Sequence, residues 1–184
     1  MASSFNIDTF TSKLSKGGAL ASLFECELSA TDKGKLGSVA DWIFMCKGVV
    51  FPASTIDPAT VTYMGRALQI PGNRAAAQLT TSVYNDEGME VRNYIESWME
   101  RLNSHKTNKR DPAWNRILDY TAEMKVRQLK KDGTGSSKEY VFTNVWPSTC
   151  AEIALSWDTN EIQTFDVTWE YNYWSSVANS GTGA

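Results

Sequence analysis

Tyr120-Thr-Ala-Glu-Met-Lys-Val-Arg127, Lys131-Asp-Gly-Thr-Gly-Ser-Ser137 and Tyr140-Val-Phe-Thr-Asn-Val145 are the three successive pieces that decide the fold class. In the first, Tyr120, Ala122, Met124 and Val126 alternate with Thr121, Glu123, Lys125 and Arg127. A period of two residues sends one set into a core and the other into water, which is a half-buried strand. The middle piece carries Gly133 and Gly135, which can take positive φ without a Cβ clash, as a hairpin tip requires. In the third, Tyr140, Phe142 and Asn144 alternate with Val141, Thr143 and Val145. Strand, tight turn and return strand make an antiparallel hairpin.

The same period recurs on both sides. Phe24, Cys26 and Leu28 alternate with Glu25 and Glu27, and Leu79, Thr81 and Val83 alternate with Thr80, Ser82 and Tyr84. Residues 42–51 form a mixed apolar segment ending at Pro52. Residues 61–70 read as an extended stretch, stopped by the turn signal Pro71-Gly72-Asn73. A last strand pair is expected over 150–157 and 162–173. One helix interrupts, over 86–102. Asn85 or Asp86 can cap its first amides, Asp86, Glu87 and Glu90 suit the positive end of its dipole, and Val91, Ile95, Trp98 and Leu102 fall on one stripe. The fold class is therefore α+β, mainly β: two antiparallel sheets forming a sandwich or partly open barrel, with one flanking α-helix. The expected domain covers residues 20–174, after an N-terminal arm (1–19) and before a flexible Ser/Gly/Asn-rich tail (175–184).

Composition narrows the function. At 184 residues the chain can bury roughly two thirds of its unfolded surface, so it needs no staples. Apolar residues make up 42% and charged residues 21%, which excludes wholesale disorder. No apolar run is long enough to span a membrane, and the first residues lack the basic and apolar regions of a secretory signal. Cys26, Cys46 and Cys150 read as buried apolar residues made in a reducing compartment. A net charge of −3 and a pI near 5.2 argue against binding driven by nucleic-acid phosphates. The average hides an asymmetry: residues 101–138 carry ten Lys/Arg against four Asp/Glu, whereas residues 150–184 carry five acids and no cation. Faces of opposite sign look at different partners, as repeating self-assembly requires.

Catalytic chemistry finds little support. His105 is the single histidine and lies in a polar stretch after the helix, where it reads as solvated. There is no Gly-x-Ser-x-Gly elbow, no Cys-x-x-Cys or His pair, and no Gly-rich phosphate loop, so neither enzyme nor cofactor nor metal is expected. Acid pairs such as Glu25/Glu27 and Asp166/Glu170 read as wet strand faces. Most of the aromatic residues fall in phase with an apolar face and read as core; Trp42, Phe44, Trp114 and Trp174 are less constrained. A β domain with long arms and unpaired edges points to binding or assembly, since ring closure removes edges that would otherwise aggregate.

Four stretches resemble the tail tube proteins of contractile-tailed, T4-like myovirus bacteriophages. They are Leu23-Phe-Glu-Cys-Glu-Leu28; Phe44-Met-Cys-Lys47 and Pro52-Ala53 with Tyr63-Met-Gly-Arg-Ala-Leu-Gln-Ile-Pro-Gly-Asn-Arg74; Val83-Tyr-Asn-Asp-Glu-Gly-Met-Glu-Val-Arg92; and Trp146-Pro-Ser148 with Leu155-Ser-Trp-Asp158, Asn160-Glu-Ile-Gln-Thr-Phe-Asp-Val-Thr168 and Tyr173-Trp174. The resemblance implies a virion protein, made in the host bacterial cytoplasm, whose hexameric rings stack into a hollow tube inside a contractile sheath. That tube penetrates the cell envelope and conducts DNA. The implied partners are further copies of itself, the sheath protein, baseplate and tail-terminator proteins, and the tape-measure protein in the lumen, with DNA in transit and not specifically bound. Two alternatives are a tube protein of a type VI secretion or other contractile injection system, and a carbohydrate-binding β-sandwich.

Two sets of residues are assigned on that basis. Residues 38–60 are expected to form an inter-ring or inter-subunit contact through Trp42, Phe44, Val49, Val50 and Phe51, with Pro52 and Pro58 keeping part of the segment out of ladder pairing. A lumen should be acidic or neutral, because each lysine near a phosphate adds affinity that repeating rings multiply. If residues 153 and 167 pair, Ile153, Leu155, Trp157, Phe165, Val167 and Trp169 face the core. Glu152, Ser156, Thr164, Asp166, Thr168 and Glu170 then face the lumen, together with Ala154.

Overall fold

The computed structural model describes residues 6–14, 17–29 and 41–177. In chain order the elements are α1 (Ile7–Lys13), β1 (Phe24–Leu28), α2 (Trp42–Met45), β2 (Cys46–Val50), β3 (Ser54–Tyr63), β4 (Arg66–Ala76), β5 (Leu79–Tyr84), α3 (Glu90–Leu102), α4 (Ile117–Tyr120), β6 (Ala122–Leu129), β7 (Ser136–Cys150), β8 (Thr164–Glu170) and β9 (Tyr173–Val177).

Strand β7 organises the architecture. Its first part pairs with β6 on one side and β9 on the other, and its last part pairs with β8. With β1 beyond β6, and β5 and β2 beyond β8, the order is β1-β6-β7-β8-β5-β2, with β9 also on β7. Two antiparallel sheets thus share one strand. The change of sheet falls at Asn144, an extra residue between the pairs Ala122↔Val145 and Glu123↔Thr143. Its φ is +58°, a left-handed value that asparagine tolerates better than most side chains, and such a bulge bends the strand. Thr121 Oγ1 holds its side chain, donating to Asn144 Oδ1 at 3.3 Å.

Between the sheets lies a tryptophan-rich core. Trp169 of β8 meets Trp42 edge-on at 5.5 Å and Trp98 at 5.9 Å between ring centroids. Its indole N–H donates to the buried Thr81 hydroxyl at 2.8 Å, so the hydroxyl carries no unpaired cost. Cys26 and Cys46 are buried and hydrogen-bonded to each other, so the end strands β1 and β2 approach across the core. That bond pulls the Cys26 thiol below its ordinary range and pushes Cys46 far above it, with burial adding to the rise.

The helix packs as its stripe implies: Val91, Ile95 and Trp98 are buried and Leu102 is partly so. Trp98 Nε1 donates to the Tyr120 carbonyl at 2.9 Å. It starts at Glu90 and not at 86. Asp86 does accept from the amides of Gly88 and Glu90, at 3.1 and 3.0 Å, but Met89 takes a φ of +53°, so 86–89 form a turn ahead of the helix.

Three other expectations are corrected. Pro71-Gly72-Asn73 does not stop a strand; it lies inside β4, and Pro58 lies inside β3 directly opposite Pro71. The turn is Met64-Gly65, both at positive φ (47° and 78°), the geometry of a two-residue hairpin loop. Residues 151–163 contain no strand, because β7 itself supplies the partner of β8 through Cys150↔Val167. Finally, residues 175–177 belong to β9 rather than to a tail, while 178–184, like 1–5, 15–16 and 30–40, lie outside the described residues.

Candidate assembly surfaces

Strands β3 and β4 form a ribbon separate from both sheets, and every residue in them is exposed. Pairing Ala59↔Ile70, Val61↔Leu68 and Tyr63↔Arg66 puts Ala59, Val61, Tyr63, Leu68 and Ile70 on one face. Pro58↔Pro71, Thr60↔Gln69 and Thr62↔Ala67 fill the other, where the Thr60 hydroxyl donates to Gln69 Oε1 at 2.9 Å. The ribbon is amphipathic with its apolar face in solvent. In a two-stranded ribbon both strands are edges, so the missing N–H groups of Pro58 and Pro71 cost little. Gly72 is required for packing and not for a turn: a Cβ there would sit 2.6 Å from the Asp57 carbonyl oxygen.

The contact residues assigned from sequence divide. Phe44 and Val50 are exposed, and Phe51, partly exposed, lies over the Tyr140 ring at 4.6 Å. Val49 packs against the core from its edge. Trp42 is a correction: it is only 1% exposed and belongs to the core, because α2 turns its indole inward onto Trp169. Trp114, also considered for an interface, is fully buried.

The lumen set divides too. Thr164, Asp166, Thr168 and Glu170 do lie on one side of β8, since Phe165, Val167 and Trp169 between them are buried. Register places Thr80 beside Thr168, Ser82 beside Asp166 and Tyr84 beside Thr164, extending a polar face onto β5. The Ser82 hydroxyl donates to Asp166, and the Gln78 amide to Glu170. Neither strand contains Lys or Arg, although Lys47 lies at the margin, its Nζ 5.4 Å from the Tyr84 ring centroid. The assumed 153–167 pairing does not form, since Val167 pairs with Cys150. Leu155 and Trp157, expected in the core, are exposed, and Glu152 and Ser156 lie exposed in the loop 151–163, lining one cavity with Thr164.

The far side of the other sheet is closed by charge. Arg127 of β6 bonds Glu139 of β7 at 2.8 Å and Glu25 and Glu27 of β1 at 3.1 and 2.9 Å. These carboxylates, Glu139 foremost, hold its guanidinium above its ordinary pKa.

A phage tail tube protein family model matches residues 5–177. The chain belongs to that family. This tail tube protein is 30% identical over 170 residues to the tail tube protein gp19 of Enterobacteria phage T4, covering 91% of this chain and 98% of the relative. Its fold matches the tube-terminating cap of the anti-feeding prophage, at a TM-score of 0.63 and 15% identity over 88% of this chain and 91% of the other. It also matches a chain of the sheath–tube complex of the extracellular contractile injection system PVC, at 0.62 and 13% over 91% and 97%. A tail tube protein is a structural component of the virion tail. Trp42, Trp98, Trp114 and Trp169 are buried, so the aromatic stacking platform that sugar binding needs is not built from them.

Proposed function

We propose that copies of this chain close into hexameric rings that stack as a hollow tube, acting by assembly and not by catalysis. The observation that carries the reading is the β3–β4 ribbon. An isolated hairpin is marginal in water, and an apolar face on Val61, Tyr63, Leu68 and Ile70 left in solvent calls for a covering partner. A neighbouring copy supplies it. Purified protein, alone and with baseplate, should form stacked rings in electron micrographs, and a variant with residues 54–76 replaced by a short Gly/Ser linker should stay a folded monomer. Rings formed equally well by that variant would overturn the reading.

The polar face of β5 and β8 is the proposed bore. Hydroxyls and two carboxylates, without a cation in either strand, present DNA with a surface it does not stick to. A sheath outside, baseplate and terminator at the ends and a tape-measure protein within complete the assembly. The identity of 30% to a phage protein, against 13–15% to injection-system chains, favours DNA as cargo. In intact virions, Asp166→Lys with Glu170→Lys should leave tubes and adsorption normal but slow DNA delivery, most at low salt where screening is weak. Normal delivery with failed sheath assembly would place this face outside.

A further inference from the structure

We propose that the loop 151–163 of one copy seats on the segment 103–118 of the next, a head-to-tail contact of acid on base around a tryptophan anchor. The inference rests on the ring-and-tube reading above. The two segments lie at opposite ends of α3. Arg92, in its first turn, donates to the Ala151 carbonyl at 3.1 Å, and residues 103–118 follow directly from its last residue. Thirteen residues at about 1.5 Å of rise separate those ends by roughly 18 Å.

Their charges are equal and opposite. Residues 103–118 carry Lys106, Lys109, Arg110 and Arg116 against Asp111, a net +3; residues 151–163 carry Glu152, Asp158 and Glu161 with no cation, a net −3. All four cations and those three loop acids are exposed, and none of the seven has an ion-pair partner among the described residues. Each segment also carries exposed apolar side chains: Leu155, Trp157 and Ile162 on the acidic loop, Ile117 and Leu118 on the basic segment. Trp157 is wholly solvated, at 105% relative exposure. An aromatic anchor ringed by complementary charge is the composition of an interface centre. Within one copy these charges form no ion pair among the described residues, and a heterologous contact repeats from copy to copy.

The test uses two reversal variants of the full chain, Glu152→Lys/Asp158→Lys/Glu161→Lys and Lys106→Glu/Lys109→Glu/Arg116→Glu, each checked for a parental unfolding midpoint. Alone, each should lose about tenfold or more of its pelletable tube at low salt, where charge complementarity acts most strongly. Mixed in equal amounts they should recover, because each variant's loop then meets the other's segment. Parental tube yield from either variant alone, or a mixture no better than its parts, overturns the proposal. So do normal tubes that fail only to take up sheath, which would assign the surface to the sheath. Absence of tubes from the parent chain itself would instead count against the ring reading.

Discussion

Two hairpins of this chain have similar length and opposite fates. In β6–β7, Ala122, Met124, Val126, Phe142 and Val145 are buried, and the turn joins two strands already fixed by β1, β8 and β9. In β3–β4 the ladder is regular and one face is apolar, yet nothing among the described residues covers it. Regular pairing therefore does not imply a role in the subunit's own stability. The first hairpin holds the fold together, and the second, in the proposed ring, is covered by a neighbour.

Mutations should separate these roles, and the largest effects belong to the first region and the helix upon it. Phe142→Ala and Trp98→Ala should each cost about 3–5 kcal/mol in urea unfolding, through the cavities they leave. A loss below about 1 kcal/mol at Trp98 would mean that the helix stripe contributes little to the core. At the bulge, Asn144→Val should cost about 1–2 kcal/mol, because a β-branched residue resists left-handed backbone, while Asn144→Gly should be close to neutral. Equal costs for the two would move the effect from backbone to the Thr121 hydrogen bond. The smallest change belongs to the ribbon: Leu68→Ser with Ile70→Ser should shift subunit stability by less than about 0.5 kcal/mol, yet abolish tubes. Unfolding of that variant would erase the contrast between the hairpins.

Where burial was one-sided, the fold was legible in the sequence. Alternation located β1, β5, β6 and β7, and the apolar stripe located α3, because each pattern records a buried face; in β7 the bulge at Asn144 then buries Val145, of the opposite set from Phe142. The ribbon was misread because its decisive signals were local and in competition. Pro71-Gly72-Asn73 is the stronger turn signature, but Met64-Gly65 makes the turn, since proline is tolerated where both strands are edges. The β7–β8 register was missed for a different reason: nothing in the composition shows that β7 continues through Pro147 into the second sheet, so residues after Cys150 were taken for the strand that β7 itself supplies. That register error removes the pairing that joined Glu152 and Ser156 to β8, whereas Thr164, Asp166, Thr168 and Glu170 share one side through alternation within β8 alone. Trp42 was misplaced because the short helix α2, which turns it inward, is too brief to show a period.

The order β1-β6-β7-β8-β5-β2 also sets a schedule for synthesis. Strand β5 ends at Tyr84, but its partner β8 begins at Thr164, and β1 waits for β6 in the same way. A ribosome adding about 5–20 residues per second leaves several seconds between the emergence of β5 and that of the strand which covers it. During that interval the nascent chain displays the ribbon but lacks a closed second sheet to carry it. If the ribbon docks as proposed, a truncated product would present it without the body that a ring requires, and assembly would wait for complete translation.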